Sequence, residues 1–183
     1  LAVAGTIHVL INNTGGPAPG LIQNATADQF LNAFQQHLIN NQQLVQALLP
    51  GMKADGYGRI INVISTSVKM PIPNLGVSNT TRAATAGWAK TLSLEVSADG
   101  ITVNNILPGF IKTGRLESLI NSNAAAQKIS PEELAAQMEK QIPVQRFGET
   151  KEIAALAAFL ASPAASYING TSIPVDGGKT VAF

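Results

Sequence analysis

The chain has 183 residues, 45% hydrophobic and 13% charged, with a formal net charge of +1. That length fits one domain with a substantial core, and the balanced charge argues against a nucleic-acid or membrane-surface partner. The absence of Cys excludes disulfides and thiolate metal sites and fits a reducing, cytoplasmic compartment, with no metal site and no membrane span expected.

In chain order, Ile7 to Ile11 reads as a first strand, closed by the turn Asn12-Asn13-Thr14-Gly15-Gly16, with His8 inside it as a packing residue. Thr26 is placed to cap a helix, and Gln29 holds the capping-box position. That helix is expected over 28–49, with Leu38, Val45, Leu48 and Leu49 on its apolar face, and with Pro50-Gly51 as its end. Arg59 to Ile64 is a second strand, apolar along most of its length as a parallel strand buried on both faces should be. Arg82 to Val96 reads as helix and stops before Asp99-Gly100. Ile101 to Leu107 is a third strand, ended by Pro108-Gly109.

Ser130 and Pro131 supply an N-cap and a first helical position. Glu149 to Leu160 is a last helix and Ser172 to Val175 a last strand, in which Pro174 suits an edge. Such alternation implies a parallel sheet covered by helices on both faces, joined by right-handed crossovers. Residues 114–145 follow the carboxyl end of a strand, where open α/β sheets bind ligands. They form a candidate substrate lid.

Four segments together resemble the short-chain dehydrogenase/reductase family. Ile11-Asn12-Asn13-Thr14-Gly15 is similar to the family's Asn-Asn-Ala-Gly after its fourth strand. Gly58 to Ser65 is similar to its fifth strand, ending in the catalytic Ser. Ile101 to Thr113 is similar to its sixth strand and nicotinamide loop. Ile142-Pro143 to Gly148, with Glu152 onward to Val175-Asp176-Gly177-Gly178, is similar to its C-terminal signature.

The resemblance implies the C-terminal part of a doubly wound parallel-sheet Rossmann-type domain, strands four to seven of the family fold. It also implies an NAD- or NADP-dependent oxidoreductase acting on a carbonyl or secondary alcohol, closest in pattern to ketoacyl reductases. The expected assembly is a homodimer or homotetramer paired through the helices near 28–49 and 82–96.

The chain departs from the family pattern in three ways. No Gly-x-x-x-Gly-x-Gly turn follows a strand, so the upstream βαβ units that hold the pyrophosphate and select the ribose phosphate are expected to be missing. The family's Tyr-x-x-x-Lys is Ser78-x-x-x-Arg82 here. A Ser hydroxyl is a far weaker acid than a phenol of pKa about 10, and an Arg stays charged. The helical Asn of the family's proton relay aligns with His37.

The resemblance therefore implies a catalytic group of Ser65, Ser78, Arg82 and His37. Ser65 would hydrogen-bond the reacting carbonyl, or else only cap its own Ser-Thr-Ser turn. Arg82 would contact the nicotinamide ribose. His37, which titrates near neutral pH in its ordinary state, would stand in as proton donor. Asn13, Thr14 and Gly15 are expected on the adenosine side of the cofactor, and Pro108, Gly109, Ile111 and Thr113 beside the nicotinamide. Two other readings stay open: a non-catalytic dinucleotide-binding or interaction protein that kept the fold, and an enzyme of different chemistry built on His37.

Overall fold

The computed structural model describes residues 5–181. Its centre is a sheet of four parallel strands in sequence order: β1 (Val9–Asn12), β2 (Gly58–Val63), β3 (Ile101–Pro108) and β4 (Ser172–Val175). The four strands expected from sequence are all present, with ends shifted by one or two residues, the usual uncertainty of such boundaries. β4 pairs only with β3, so Pro174, opposite Leu107, sits on an edge where its missing N–H costs nothing.

The two central strands, β2 and β3, are buried along nearly their whole length, which explains their nearly unbroken apolar runs, whereas Val9 and Ile11 of the edge strand β1 are exposed. Ile60 and Val103 pack with Val45, Leu48, Met52, Ala89, Leu92 and Val96 on one face. Ile61 and Ile106 pack with Ala157, Leu160 and Ala165 on the other. Each fully buried aliphatic side chain contributes about 1.5–3 kcal/mol. Across the strands runs a ladder of amides in register: Asn12 donates to Asn62 (2.8 Å), Asn62 to Asn105 (2.9 Å), and Asn105 to the Ser172 hydroxyl (3.0 Å). The ladder satisfies polar groups that burial would otherwise penalise.

The helices are α1 (Ala27–Phe34), α2 (Asn40–Ala54), α3 (Gly76–Val96), α4 (Gly114–Gln127), α5 (Pro131–Lys140) and α6 (Thr150–Ala161). The capping box forms as read: Gln29 N donates to Thr26 Oγ1 at 3.3 Å, and Thr26 N to Gln29 Oε1 at 2.9 Å. Ser130 caps α5 by accepting from Glu133 N. Three expectations need correction. The helix expected over 28–49 is split by a π-helical turn at Gln35–Ile39 and continues through Pro50 to Ala54, because packing of Leu48 and Met52 outweighs one lost backbone donor. The helix expected from Arg82 begins at Gly76. His8 precedes β1 rather than lying inside it: its ring packs on Tyr57 with centroids 6.0 Å apart, and it also lies within 2.8 Å of the Asp55 carboxylate.

Gly100 ends the α3 segment at φ 74, and a Cβ there would meet the Gly56 carbonyl at 2.2 Å, so only Gly fits. At the amino end of the sheet, the buried Arg59 donates to the carbonyls of Gly58 and Gly100 and lies 4.2 Å over the Tyr57 ring. Tyr57 Oη donates to the Ala161 carbonyl, so Tyr57 is held far from the carboxyl ends of the strands. Residues of the 114–145 insertion, with Phe147, form a separate apolar cluster of Leu116, Ile120, Ala124, Leu134 and Ile142. Among the described residues no helix is long and apolar enough to cross a membrane.

Candidate active site

A cavity of about 700 Å³ opens at the carboxyl ends of the strands. Ser65, from the turn after β2, and Ser78 and Arg82, from the first turns of α3, line it together. Asn13 and Thr14 come from the loop after β1, and Pro108, Gly109, Ile111 and Thr113 from the loop after β3. Ten of the residues expected from sequence thus have a place around one space, counting His37 through its bond to Thr14. Gly15 is the exception: it is exposed and outside the cavity lining.

Each hydroxyl has a defined setting. Ser65 Oγ accepts from Ser67 N at 3.1 Å, so the expected Ser-Thr-Ser turn exists while its own O–H remains available to a ligand. Ser78 is buried and lies four residues before Arg82 on the same helix face. Thr113 accepts from Leu116 N at 3.4 Å and thereby caps α4. Gly109 has an internal reason to be Gly, since a Cβ would press on Asp176 at 2.7 Å.

His37 reaches the cavity indirectly. It sits in the π-helical turn, buried, with Nδ1 2.7 Å from Thr14 Oγ1. The link runs to Thr14; a direct hydrogen bond to Ser78, as a relay between them would need, is not formed. π-turns often mark functional positions in helices. Here the His37 carbonyl accepts from the Asn41 side chain of α2 (2.7 Å) and from the Thr85 hydroxyl (3.3 Å), which ties the turn to α3. His37 Nε2 is buried without a protein partner. Burial first, then the charges of Arg82 and Arg115, push the imidazole pKa down to about 4. At neutral pH the ring is uncharged.

Arg82 is also buried, and its one protein hydrogen bond is a long one, Nη1 to the Val63 carbonyl at 3.4 Å. Burial and repulsion from Arg115 bring its pKa down to about 10, so it keeps its charge at neutral pH. Most of its five N–H donors remain for a ligand.

Sequence reasoning missed Arg115, which lines the cavity from the first turn of α4. It was legible only as a cation at the start of an insertion that follows a strand's carboxyl end. Phe110, Leu75 and Leu119 complete much of the apolar wall.

A dinucleotide fits this site in part. The free donors of Arg82 suit ribose hydroxyls, and the Pro108–Thr113 wall can border a flat carboxamide-bearing ring. For a pyrophosphate, the described residues offer no glycine-rich turn from strand to helix. A Cβ on Gly15 would meet nothing within 4 Å, so no close approach inside this chain requires that glycine.

A family model described as enoyl-(acyl carrier protein) reductase matches residues 1–180. The chain is 36% identical over 175 residues to the NADPH-dependent reductase BacG of Bacillus subtilis, covering 96% of this chain and 68% of that protein. It is 36% identical over 176 residues to the 3-oxoacyl-(acyl-carrier-protein) reductase FabG of Haemophilus influenzae, covering 95% and 67%. The crystal structure of YwfH, an NADPH-dependent reductase involved in bacilysin biosynthesis, superposes with a TM-score of 0.94 at 34% identity, covering 100% of this chain and 70% of that one. L-Sorbose reductase from Gluconobacter frateurii, solved with NADPH and L-sorbose, superposes with a TM-score of 0.93 at 28% identity, again covering 100% and 70%. The chain spans about two thirds of the length of the curated relatives it matches.

Proposed function

This chain belongs to the short-chain dehydrogenase/reductase family and is an oxidoreductase of that kind; from that premise we propose that it is the catalytic-side part of an NAD(P)-dependent carbonyl reductase with a rearranged proton donor. The observation that carries this reading is the convergence of Ser65, Ser78, Arg82 and the Thr14–His37 pair on one cavity at the carboxyl ends of the strands. The relatives named as NADPH-dependent make NADPH the expected cofactor. The four strands correspond, in this reading, to strands four to seven of the family sheet, and 114–145 acts as a substrate lid with its own apolar cluster.

When bound, the nicotinamide supplies or accepts the hydride. The residues of the chain do the rest. Ser65 and Ser78 donate hydrogen bonds to the substrate oxygen, and the buried Arg82 adds a fixed positive field where negative charge develops on that oxygen. Arg82 also holds the ribose through paired N–H donors. Pro108, Gly109, Ile111 and Thr113 orient the ring, and Asn13 and Thr14 line the adenosine side of the cofactor. Proton delivery passes through the Thr14 hydroxyl, the group that touches both the cavity and the imidazole. A neutral His37 relays a proton in this arrangement rather than storing one: as Nδ1 gives its proton to Thr14, Nε2, which has no protein partner, takes one up from water.

The test is carbonyl-dependent NADPH oxidation across a panel of ketones, with Ser65→Ala as control. Turnover that falls about 10²-fold in the variant agrees with loss of one such donor. The replacement of Tyr and Lys by Ser78 and Arg82 favours a second reading, a non-catalytic dinucleotide-binding protein. NADPH binding without turnover on any ketone would establish that reading instead. Exposed Leu31, Leu44, Leu94 and Phe159 on α1, α2, α3 and α6 provide apolar surface for the two-fold assembly that the family resemblance implies.

A further inference from the structure

The cavity has an unbalanced charge. Arg82 and Arg115 both line it, and none of the chain's 11 acidic side chains does. Three acids on neighbouring segments are engaged elsewhere: Glu149 with Lys112 at 2.8 Å, Glu152 with Arg146 at 2.7 Å, and Asp176 with the backbone N–H groups of Gly178 and Thr180; Glu117, in the first turn of α4, is exposed and outside the lining. Two cations facing one partly enclosed apolar space repel each other, and their repulsion is felt at both Arg82 and His37.

Arg115 is held in place by an unusual contact. Its Nη1 donates to the Gly16 carbonyl at 2.9 Å and its Nη2 to the Pro17 carbonyl at 3.3 Å. A Cβ on Gly16 would meet the guanidinium at 2.8 Å, so a glycine is what lets Arg115 lie against this loop. The contact joins the start of α4 to the loop after β1, across the mouth of the cavity. Two carbonyls leave several guanidinium N–H donors unpaired. The rest of the lining is mostly apolar, with Ile64, Leu75, Leu119 and Ile153 among its members.

We propose that Arg115 is an anion-recognition residue, and that the substrate of this site is an oxo acid: a ketone on an apolar body whose carboxylate is held at the cavity mouth. This rests on the reductase reading and deepens it. A guanidinium suits a carboxylate because its fork of donors matches the two oxygens. A cofactor phosphate offers the same chemistry, so the experiment separates the two sources.

The experiment compares benzoylformate and 3-oxooctanoate with their methyl esters, using the native protein, Arg115→Met and Arg115→Lys. In the native protein each acid should exceed its ester in kcat/KM by about 10-fold or more, the size of one charge-assisted hydrogen bond. Arg115→Met should abolish that acid-to-ester ratio, mainly through the KM of the acid, and Arg115→Lys should restore part of it. The KM for NADPH and the KM for NADH should both stay as in the native protein. Equal use of acid and ester by the native protein would overturn the proposal. So would a variant whose KM for NADPH or NADH rises while its acid preference survives, which would assign Arg115 to a cofactor phosphate: the ribose phosphate if only NADPH is affected, the pyrophosphate if both are. A second measurement does not depend on turnover: calorimetric titration with benzoylformate. Binding that disappears in Arg115→Met supports the anion site even if no ketone is reduced, in which case the reductase reading alone fails. Absence of carboxylate binding to the native protein, with and without NADPH, would overturn the anion site while leaving reduction of neutral ketones intact.

Discussion

Thr14 Oγ1 and His37 Nδ1 lie 2.7 Å apart, and this bond connects a helix-borne imidazole to the cavity through a loop hydroxyl. Thr14→Val should therefore lower turnover about as much as His37→Ala, by about 10²-fold for loss of a positioned proton-transfer group. Thr14→Ser, which keeps the hydroxyl, should recover most of it. The check is kcat against pH for the three variants, and the double variant Thr14→Val/His37→Ala should be little worse than either single one if the two act as a unit.

Stability should fall on acidification because of His37. Its folded-state pKa, about 4, lies below the ordinary 6.5, so the unfolded chain takes up the proton first. The contribution is complete above about pH 6.5 and is lost as the pH falls toward 4. It amounts to about 3 kcal/mol over that window. Urea unfolding at several pH values should show this acid limb in the native protein and a flatter one in His37→Asn.

The amide ladder across the sheet should be sensitive at its centre. Asn62→Ala removes the partner of both Asn12 Nδ2 and Asn105 Oδ1 and leaves two buried polar groups unpaired. A loss of about 2–5 kcal/mol follows from the cost of such groups. Asn12 stands at the end of the ladder with Oδ1 already lacking a protein partner, so Asn12→Ala should cost less. Denaturant midpoints would rank the two.

Restoring the family's acid should raise reductase activity. Ser78 and Arg82 already line the cavity from adjacent turns of α3. Ser78→Tyr combined with Arg82→Lys should increase carbonyl-dependent NADPH oxidation by about 10²-fold or more, the usual contribution of a positioned general acid. Ser78→Tyr alone should gain less, because the Lys is what tunes the phenol. Initial rates with one ketone would decide it.

Light scattering at micromolar concentration should give the mass of a dimer or tetramer. Leu94, 69% exposed on α3, is an apolar side chain such an assembly would cover. Leu94→Asp should shift the mass toward the monomer.

Local chemistry made most of the architecture readable from the sequence alone. Alternating apolar runs and capping residues located four strands and four helical segments, the first of which the structure splits into α1 and α2, because turn residues, capping hydroxyls and burial periodicity act over a few neighbours. The short-chain dehydrogenase/reductase resemblance likewise rests on residue order, and the three residues it singled out, Ser65, Ser78 and Arg82, line one cavity. Tertiary structure decided everything that depends on how distant segments meet. Packing against the sheet carried α2 through Pro50, and the π-turn turned His37 toward Thr14 instead of Ser78. The path of the loop after β1 left Gly15 outside the site and put Gly16 under Arg115, 99 residues away in sequence. Strand register aligned Asn12, Asn62, Asn105 and Ser172 into one ladder. Contacts of this kind are set by the summed packing of the whole core, and no local pattern encodes them.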